Sequence, residues 1–281
     1  MKTVAIQGVK GAYHETAARK YFNEKNGENI DILPCEHFSD VVSAVKKDPN
    51  LIGIMAIENT IAGSLLQNHE LIRESDLVVV GEQKLHITHS LAALPGETIE
   101  SLTEINSHPI ALMQCGEFLK TLSHVKAVES EDTALSAQRI AEENLKGHAA
   151  ICSRYAAELY GLNILQQGIE TNKRNFTRFL LLANRWLAEE LVDASAVDKS
   201  SIVFTLPHTE GSLSKVLTIF SFYDVNLTKI QSLPIIGREW EYLFYVDLKF
   251  CNLLKYKQGL DAVRPLMKDL KILGEYKENN L

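Results

Sequence analysis

Three short polar clusters could do chemistry in this chain. Asn175-Phe176-Thr177-Arg178-Phe179 opens an apolar run that continues through Leu180, Leu181 and Leu182. An amide, a hydroxyl and a guanidinium at the mouth of a buried strand must pair internally or meet a ligand. Strand alternation places Asn175, Thr177 and Phe179 on one face and Arg178 on the other. Glu58-Asn59-Thr60 likewise follows the apolar run Leu51 to Ile57, and the carboxyl ends of strands in α/β sheets are where ligands bind. The third cluster is Ser107 and Gln114, seven residues apart, with Ser107 read as the cap of a helix that has proline in its first turn. A cap and a glutamine on one helix face can bind oxygen-bearing ligands.

The elements that must hold these residues alternate. Lys2 to Gln7 reads as a strand, and Gly8 to Gly11 as a turn into a helix with Tyr13, Ala17, Ala18, Tyr21 and Phe22 at helical spacing. Ile30 to Cys35 is followed by a helix capped at Ser39, and Val125 to Val128 by a helix whose first turn carries Glu131 and Asp132. Strands alternating with helices predict a largely parallel α/β sheet. The βα units up to residue 183 fall into two sets, so two lobes around a cleft are expected. The Gly8 to Gly11 turn lacks the Gly-Lys-Ser/Thr of a P-loop and the third glycine of a dinucleotide fingerprint. His86 and His89, three apart on a strand, face opposite ways and read as solvated or locally bonded histidines rather than metal ligands.

A polar connection spans 187–199. Beyond it the order is strand, helix, strand, strand, helix, strand, the βαββαβ pattern of a ferredoxin-like sandwich. At 281 residues with 46% hydrophobic side chains the chain has material for two cores. A net charge of −7 gives no basic footprint for nucleic acid, and no stretch is long and apolar enough for a membrane span. Cys35, Cys115, Cys152 and Cys251 are scattered without a Cys-x-x-Cys pair, so reduced thiols in a cytoplasmic protein are expected. Neither metal nor cofactor is signalled.

Taken together, G-V-K-G-A-Y-H-E-T-A-A at 8–18, I-E-N-T-I-A-G-S at 57–64, S-H-P-I-A-L-M-Q-C at 107–115, A-A-I-C-S-R-Y-A-A-E-L-Y-G-L at 149–162 and N-F-T-R-F-L-L-L at 175–182 resemble prephenate dehydratases. The resemblance runs along nearly the whole chain. It implies a catalytic domain over 1–186, two-lobed like type II periplasmic binding proteins, and an ACT regulatory domain over 200–281. It also implies prephenate as substrate, or arogenate, which has an amino group in place of the keto group; a non-catalytic amino-acid sensor on the same fold is the alternative reading. Phenylpyruvate is then the product of prephenate, L-phenylalanine the effector, and a homodimer or dimer of dimers the assembly.

Family roles fall on Thr177, Arg178, Glu58 and Gln114 as catalytic residues, and on Asn59, Thr60, Ser107, Asn175 and Phe179 as substrate-binding ones. For Glu58 a raised pKa and a purely structural hydrogen bond both stay open, as do direct and indirect action for Arg178. Effector roles fall on Gly211, Ser212, Leu213, Asn226, Leu227, Ser232 and Leu233. The family's Glu-Ser-Arg-Pro motif stands here as Gln231-Ser232-Leu233-Pro234, without either charge.

Overall fold

The computed structural model describes residues 1–27, 29–235, 237–238 and 241–279. In chain order its elements begin with β1 (Lys2–Gln7), α1 (Tyr13–Asn26), β2 (Ile30–Cys35), α2 (Phe38–Lys47), β3 (Ile52–Asn59), the two-residue β4 (Gly63–Ser64), α3 (Leu66–Ser75) and β5 (Val78–His86). A second set follows: β6 (Ser90–Ala93), β7 (Glu104–Ser107), α4 (Pro109–Gln114), α5 (Gly116–Lys120), β8 (Lys126–Glu129), α6 (Thr133–Glu142), β9 (His148–Cys152), α7 (Arg154–Leu159) and β10 (Asn163–Gln167). Then come β11 (Phe176–Ala183), α8 (Arg185–Leu191), β12 (Lys199–Thr205), α9 (Ser212–Phe222), β13 (Asn226–Pro234), β14 (Tyr242–Lys249), α10 (Leu253–Val263) and β15 (Lys268–Tyr276).

The chain crosses twice between two α/β lobes. Lobe 1 is the sheet β2-β1-β3-β11-β5, with β4 on β3, and lobe 2 the sheet β10-β6-β9-β7-β8. Both are mixed rather than largely parallel, because β11 runs antiparallel to β3 and β5, and β6 antiparallel to β9 and β10. A strand that returns from the other lobe enters the sheet from the cleft end, so its direction is opposite to that of the βα units beside it. Two α/β lobes joined by two crossings of the chain thus flank a cleft, as expected.

One apolar core runs through both lobes. It joins Val4, Ile6, Ala17 and Ile54 of lobe 1 to Ala134, Ala137, Cys152 and Ala156 of lobe 2. The Gly8 to Gly11 turn lies at this junction. Gly11, at φ +93°, approaches so closely that an added Cβ would sit 3.2 Å from Ala156 Cα. Across the same junction Tyr160 donates to the Lys10 carbonyl at 2.6 Å and Ser153 to the Gly11 carbonyl at 3.2 Å.

The third sheet has the order β13-β14-β12-β15, with α9 and α10 packed on one face, the ferredoxin-like sandwich expected from the element order. Its other face closes on the back of lobe 1: Val203, Tyr245, Leu273 and Tyr276 share a core with Met55, Ile57, Val79 and Leu180. The connection at 187–199 is partly ordered by α8 and a 3-10 turn over Ala194–Ala196, and the third sheet already starts at Lys199. Asn280 and Leu281, at the end of the unit expected over 200–281, lie outside the described residues. Among the described residues no helix is long and apolar enough to cross a membrane.

Gly274 makes the domain contact possible, since a Cβ there would lie 2.0 Å from the Val79 carbonyl oxygen. Backbone cannot yield as a side chain does, so Gly274→Ala should cost about 1–3 kcal/mol or more and shift the third sheet off β5. Unfolding in denaturant checks this; an unchanged midpoint would count against the contact.

Two local readings change. Ser39 lies inside α2, whose start is instead closed by the Asp40 carboxylate accepting from His37 N at 3.0 Å. Ser107 ends β7, and His108 caps α4 through Nδ1, which accepts from Ile110 N at 3.2 Å.

Candidate active site

Between the lobes lies a cleft of 440 Å³. Its floor is the edge where β3 meets β11, and their pairing decides which side chains enter it. Thr177 pairs with Asn59 and Arg178 with Glu58, yet Phe179 pairs with Ala56, so β3 carries one extra residue at this point. A bulge breaks the alternation of side chains along a strand. Ala56 and Asn59 consequently face the cleft together with Thr177 and Phe179, whereas Ile57 turns into the core shared with the C-terminal domain.

Glu58 follows Ile57 away from the cleft. Its carboxylate accepts from Arg178 Nη1 at 3.2 Å and from Lys229 of β13. Burial alone would raise its pKa, but Arg178 and Lys229 outweigh that and hold it below the ordinary value. Glu58 is therefore an ionised partner of two cations, and the raised pKa left open by the sequence does not arise.

Arg178 is buried beside it. Its Nε donates to Glu82 at 2.6 Å, Nη1 to Asp247 of β14, and Nη2 to the Tyr276 hydroxyl at 3.1 Å. Burial would lower the guanidinium pKa, and Asp247, Tyr276 and Glu82 instead hold it well above the ordinary value. Arg178 thus acts through its neighbours and does not reach into the cleft.

The polar side chains of the cleft form one chain of hydrogen bonds. Asn59 Nδ2 donates to Thr177 Oγ1 at 2.9 Å and to Asn175 Oδ1 at 2.8 Å, while Asn59 Oδ1 accepts from the Ile61 and Ala62 N–H groups, both at 2.9 Å. Gln114 Oε1 accepts from Asn175 Nδ2 at 2.9 Å and from His89 Nε2 at 2.8 Å. His89 Nδ1 lies 2.9 Å from the Tyr13 hydroxyl, whose one proton it shares as an acceptor with the Thr88 carbonyl, also at 2.9 Å. Burial lowers the His89 pKa, consistent with a neutral ring protonated on Nε2. Because two backbone N–H groups hold Asn59 Oδ1, its Nδ2 is the donor and Thr177 accepts from it.

The sequence-predicted residues separate accordingly. Asn59, Gln114, Thr177 and Phe179 line the cleft. Asn175 is fully buried one layer behind it, joining Asn59 to Gln114. Ser107 is also fully buried and donates to the Ile151 carbonyl at 2.6 Å, so it does not share a helix face with Gln114. Thr60 joins the strand ends, donating to the Arg174 carbonyl at 3.0 Å and accepting from Phe176 N at 2.9 Å.

Sequence reasoning missed Tyr13, His14, His89 and Asp132, all on the cleft wall. His14 accepts from Ala56 N at 3.3 Å, meets Phe179 edge to face at 5.1 Å, and is driven by burial to a pKa of about 4. Its signal was its place just after the Gly8 to Gly11 turn. His89 is neither solvated nor locally bonded, because β5 ends at His86 and the chain leaves the strand before reaching it. His86 remains at the strand end, with Nε2 2.6 Å from the Lys173 carbonyl. Among the described residues, neither lysine nor arginine lines the cleft, and no three His, Cys, Asp or Glu side chains converge as a metal site.

In the C-terminal domain a cavity of 170 Å³ brings Ser212 and Leu213 to Tyr242 and Phe244. Gly211, with φ +74°, precedes α9 at its edge. Ser232 pairs with Phe244 on the edge strand β13, while Asn226 and Leu227 lie at the far end of that strand, opposite Lys249 and Leu248. Leu233 faces the catalytic side, lining a separate cavity with Arg73 and Tyr245. The expected effector residues therefore do not form one pocket within a single chain.

Comparison with known proteins agrees with this architecture. The family model described as prephenate dehydratase matches residues 4–186. Arogenate dehydratase/prephenate dehydratase 2, chloroplastic, of Arabidopsis thaliana is 38% identical over 97% of this chain and 72% of its own length. The bifunctional chorismate mutase/prephenate dehydratase of Aquifex aeolicus is 34% identical over 97% of this chain and 73% of its own. Among solved structures, the prephenate dehydratase of Arthrobacter aurescens in complex with L-Phe superposes with a TM-score of 0.84 at 25% identity, covering 98% of this chain and 89% of that one. A protein described as GqqA, a novel type of quorum quenching acylase, superposes at 0.85 with 28% identity, covering 99% and 98%.

Proposed function

Because this chain belongs to the prephenate dehydratase family, we propose that it converts prephenate to phenylpyruvate in the interlobe cleft, under control by L-phenylalanine through its C-terminal domain. In that reaction the bond from the ring to its carboxylate breaks. CO2 leaves, the electron pair moves through the ring, and the hydroxyl at the opposite ring carbon departs and is protonated to water. Aromatisation drives the step, and what the site must supply is stabilisation of the departing oxygen.

The observation that carries this reading is the direction of one hydrogen bond. Asn59 Nδ2 donates to Thr177 Oγ1, which leaves the threonine proton free to point at a ligand. Thr177 then donates to the departing hydroxyl as charge grows on it, and solvent water completes the protonation. Glu58 does not touch the substrate, since its carboxylate faces Arg178 and Lys229. Gln114 presents its amide to the substrate, Asn59 orients the Thr177 hydroxyl, Phe179 and His14 form an apolar wall against the ring, and Asn175 holds the amides in place. Incubating the purified protein with prephenate should yield phenylpyruvate; folded protein that forms none would refute the reading.

For the effector, Gly211, just before α9, offers its N–H group to an amino acid carboxylate, and Ser232 lies one strand away. A pocket split along β13 favours completion by a second copy of the chain, in a homodimer or a dimer of dimers. Without the two charges of the family motif at Gln231 and Leu233, the effector is held by backbone and apolar contacts. Inhibition with a coupling of about 1–3 kcal/mol is expected, read as about a 5- to 150-fold shift of the substrate dependence. Identical activity curves with and without excess L-phenylalanine would remove the regulatory half of the proposal and leave the catalytic half intact.

A further inference from the structure

We propose that Asp132 is the recognition site for the ammonium group of arogenate, so that this chain dehydrates arogenate as well as prephenate and Asp132 sets the preference between them. The inference rests on the dehydration reading above. Prephenate and arogenate share the ring, the hydroxyl and both carboxylates, and differ only where one has a keto oxygen and the other an ammonium. An anion placed at the side-chain end of the cleft therefore discriminates between them.

Asp132 is the one carboxylate among the described residues that line the cleft. It lies on lobe 2, whereas Thr177 lies on lobe 1, so the two stand on opposite walls. In the substrate the departing hydroxyl and the carbon bearing the side chain are at opposite ends of the six-membered ring. A ring whose hydroxyl meets Thr177 therefore extends its side chain toward lobe 2.

The carboxylate is fixed by its own helix. Oδ1 accepts from the N–H groups of Ala134 at 2.8 Å and Leu135 at 3.0 Å, and Oδ2 lies against the chain at Gly8, where an added Cβ would come within 3.1 Å. No lysine or arginine among the described residues pairs with it. Burial pushes its pKa up against the pull of the helix N–H groups and His108, which marks a charge short of a counter-ion. An ammonium would supply one. Prephenate instead brings two negative charges and none positive, and an ionised Asp132 disfavours it.

Asp132→Asn tests this directly, because asparagine caps a helix as well as aspartate and its amide can still donate to a keto oxygen. With the full chain and both substrates, the variant should lose about 10- to 100-fold in kcat/KM for arogenate, as expected for removal of one charge-assisted contact, while kcat/KM for prephenate stays within about 3-fold or rises. A wild-type enzyme that ignores arogenate would overturn the proposal, as would equal losses on both substrates or an unchanged ratio. If prephenate too is left unconverted by the folded wild type, the reaction assignment falls with it; if prephenate is converted normally, only the role of Asp132 falls.

Discussion

Thr177→Val should lower turnover of prephenate by about 10²- to 10³-fold, the cost of losing one positioned donor to a developing oxyanion. The substitution is close to isosteric, and its structural penalty is small for a reason visible in the site. Asn59 Nδ2 loses Thr177 Oγ1 as an acceptor but keeps Asn175 Oδ1 at 2.8 Å and the Phe176 carbonyl at 3.2 Å. The amide therefore stays where it is. Because the hydroxyl acts most strongly once charge has built up, kcat should fall while KM changes little. Thr177→Ser should restore most of the rate. A valine variant with the wild-type rate would exclude Thr177 as the group at the leaving oxygen.

Arg178→Ala should destabilise the protein by about 3–5 kcal/mol, as for breaking a buried ion pair by removal of one partner. The loss is not shared evenly among its partners. Glu82 retains Lys199 Nζ at 2.8 Å and Glu58 retains Lys229, but Asp247 keeps only the Ser201 hydroxyl. Asp247 is left as a buried carboxylate without a cation. Adding Asp247→Asn to Arg178→Ala should therefore recover part of the lost stability, although Asp247→Asn alone is destabilising.

The pH dependence follows from the direction of the Asp247 shift. Burial would raise its pKa, but Arg178 and Ser201 hold it below the ordinary value in the folded state. A depressed carboxylate contributes stability above its unfolded pKa of about 4 and loses that contribution as pH falls through the folded value. The gap between wild type and Arg178→Ala, measured by denaturant unfolding, should accordingly be full at neutral pH and shrink below about pH 4. A gap that is constant with pH would show that Arg178 acts through packing rather than charge.

Much of this architecture was legible in the chain. Apolar runs located the strands, the element order after the polar connection identified the ferredoxin-like unit, and alternation along β11 separated Thr177 and Phe179 from Arg178. What the sequence could not supply were features set by pairing. The side to which Glu58 points depends on the extra residue at Ile57, and that residue is extra only relative to β11, more than a hundred positions later. His89 was misplaced for the related reason that β5 ends where its partner strand begins, at Phe176. Ser107 looked like a cap because a serine beside a proline usually is one, while here the histidine between them has that role. The interdomain ion network was illegible for a simpler reason: Arg178, Glu82, Lys229 and Asp247 come from four strands with no sequence signal in common.

The apolar core that passes from lobe 1 into lobe 2 bears on how far the lobes can part. A two-lobed receptor that traps its ligand does so by swinging about its two crossover strands, which requires lobes that touch lightly. Here such a swing would draw Ala134, Ala137 and Ala156 away from Val4, Ile6 and Ala17 and part the Tyr160 and Ser153 bonds to the Gly8 to Gly11 turn. At roughly 25 cal/mol for each Å² of apolar surface exposed, that motion is strongly opposed. The shared core thus sets a free-energy cost on parting the two lobes that a hinge of bare connecting segments would lack.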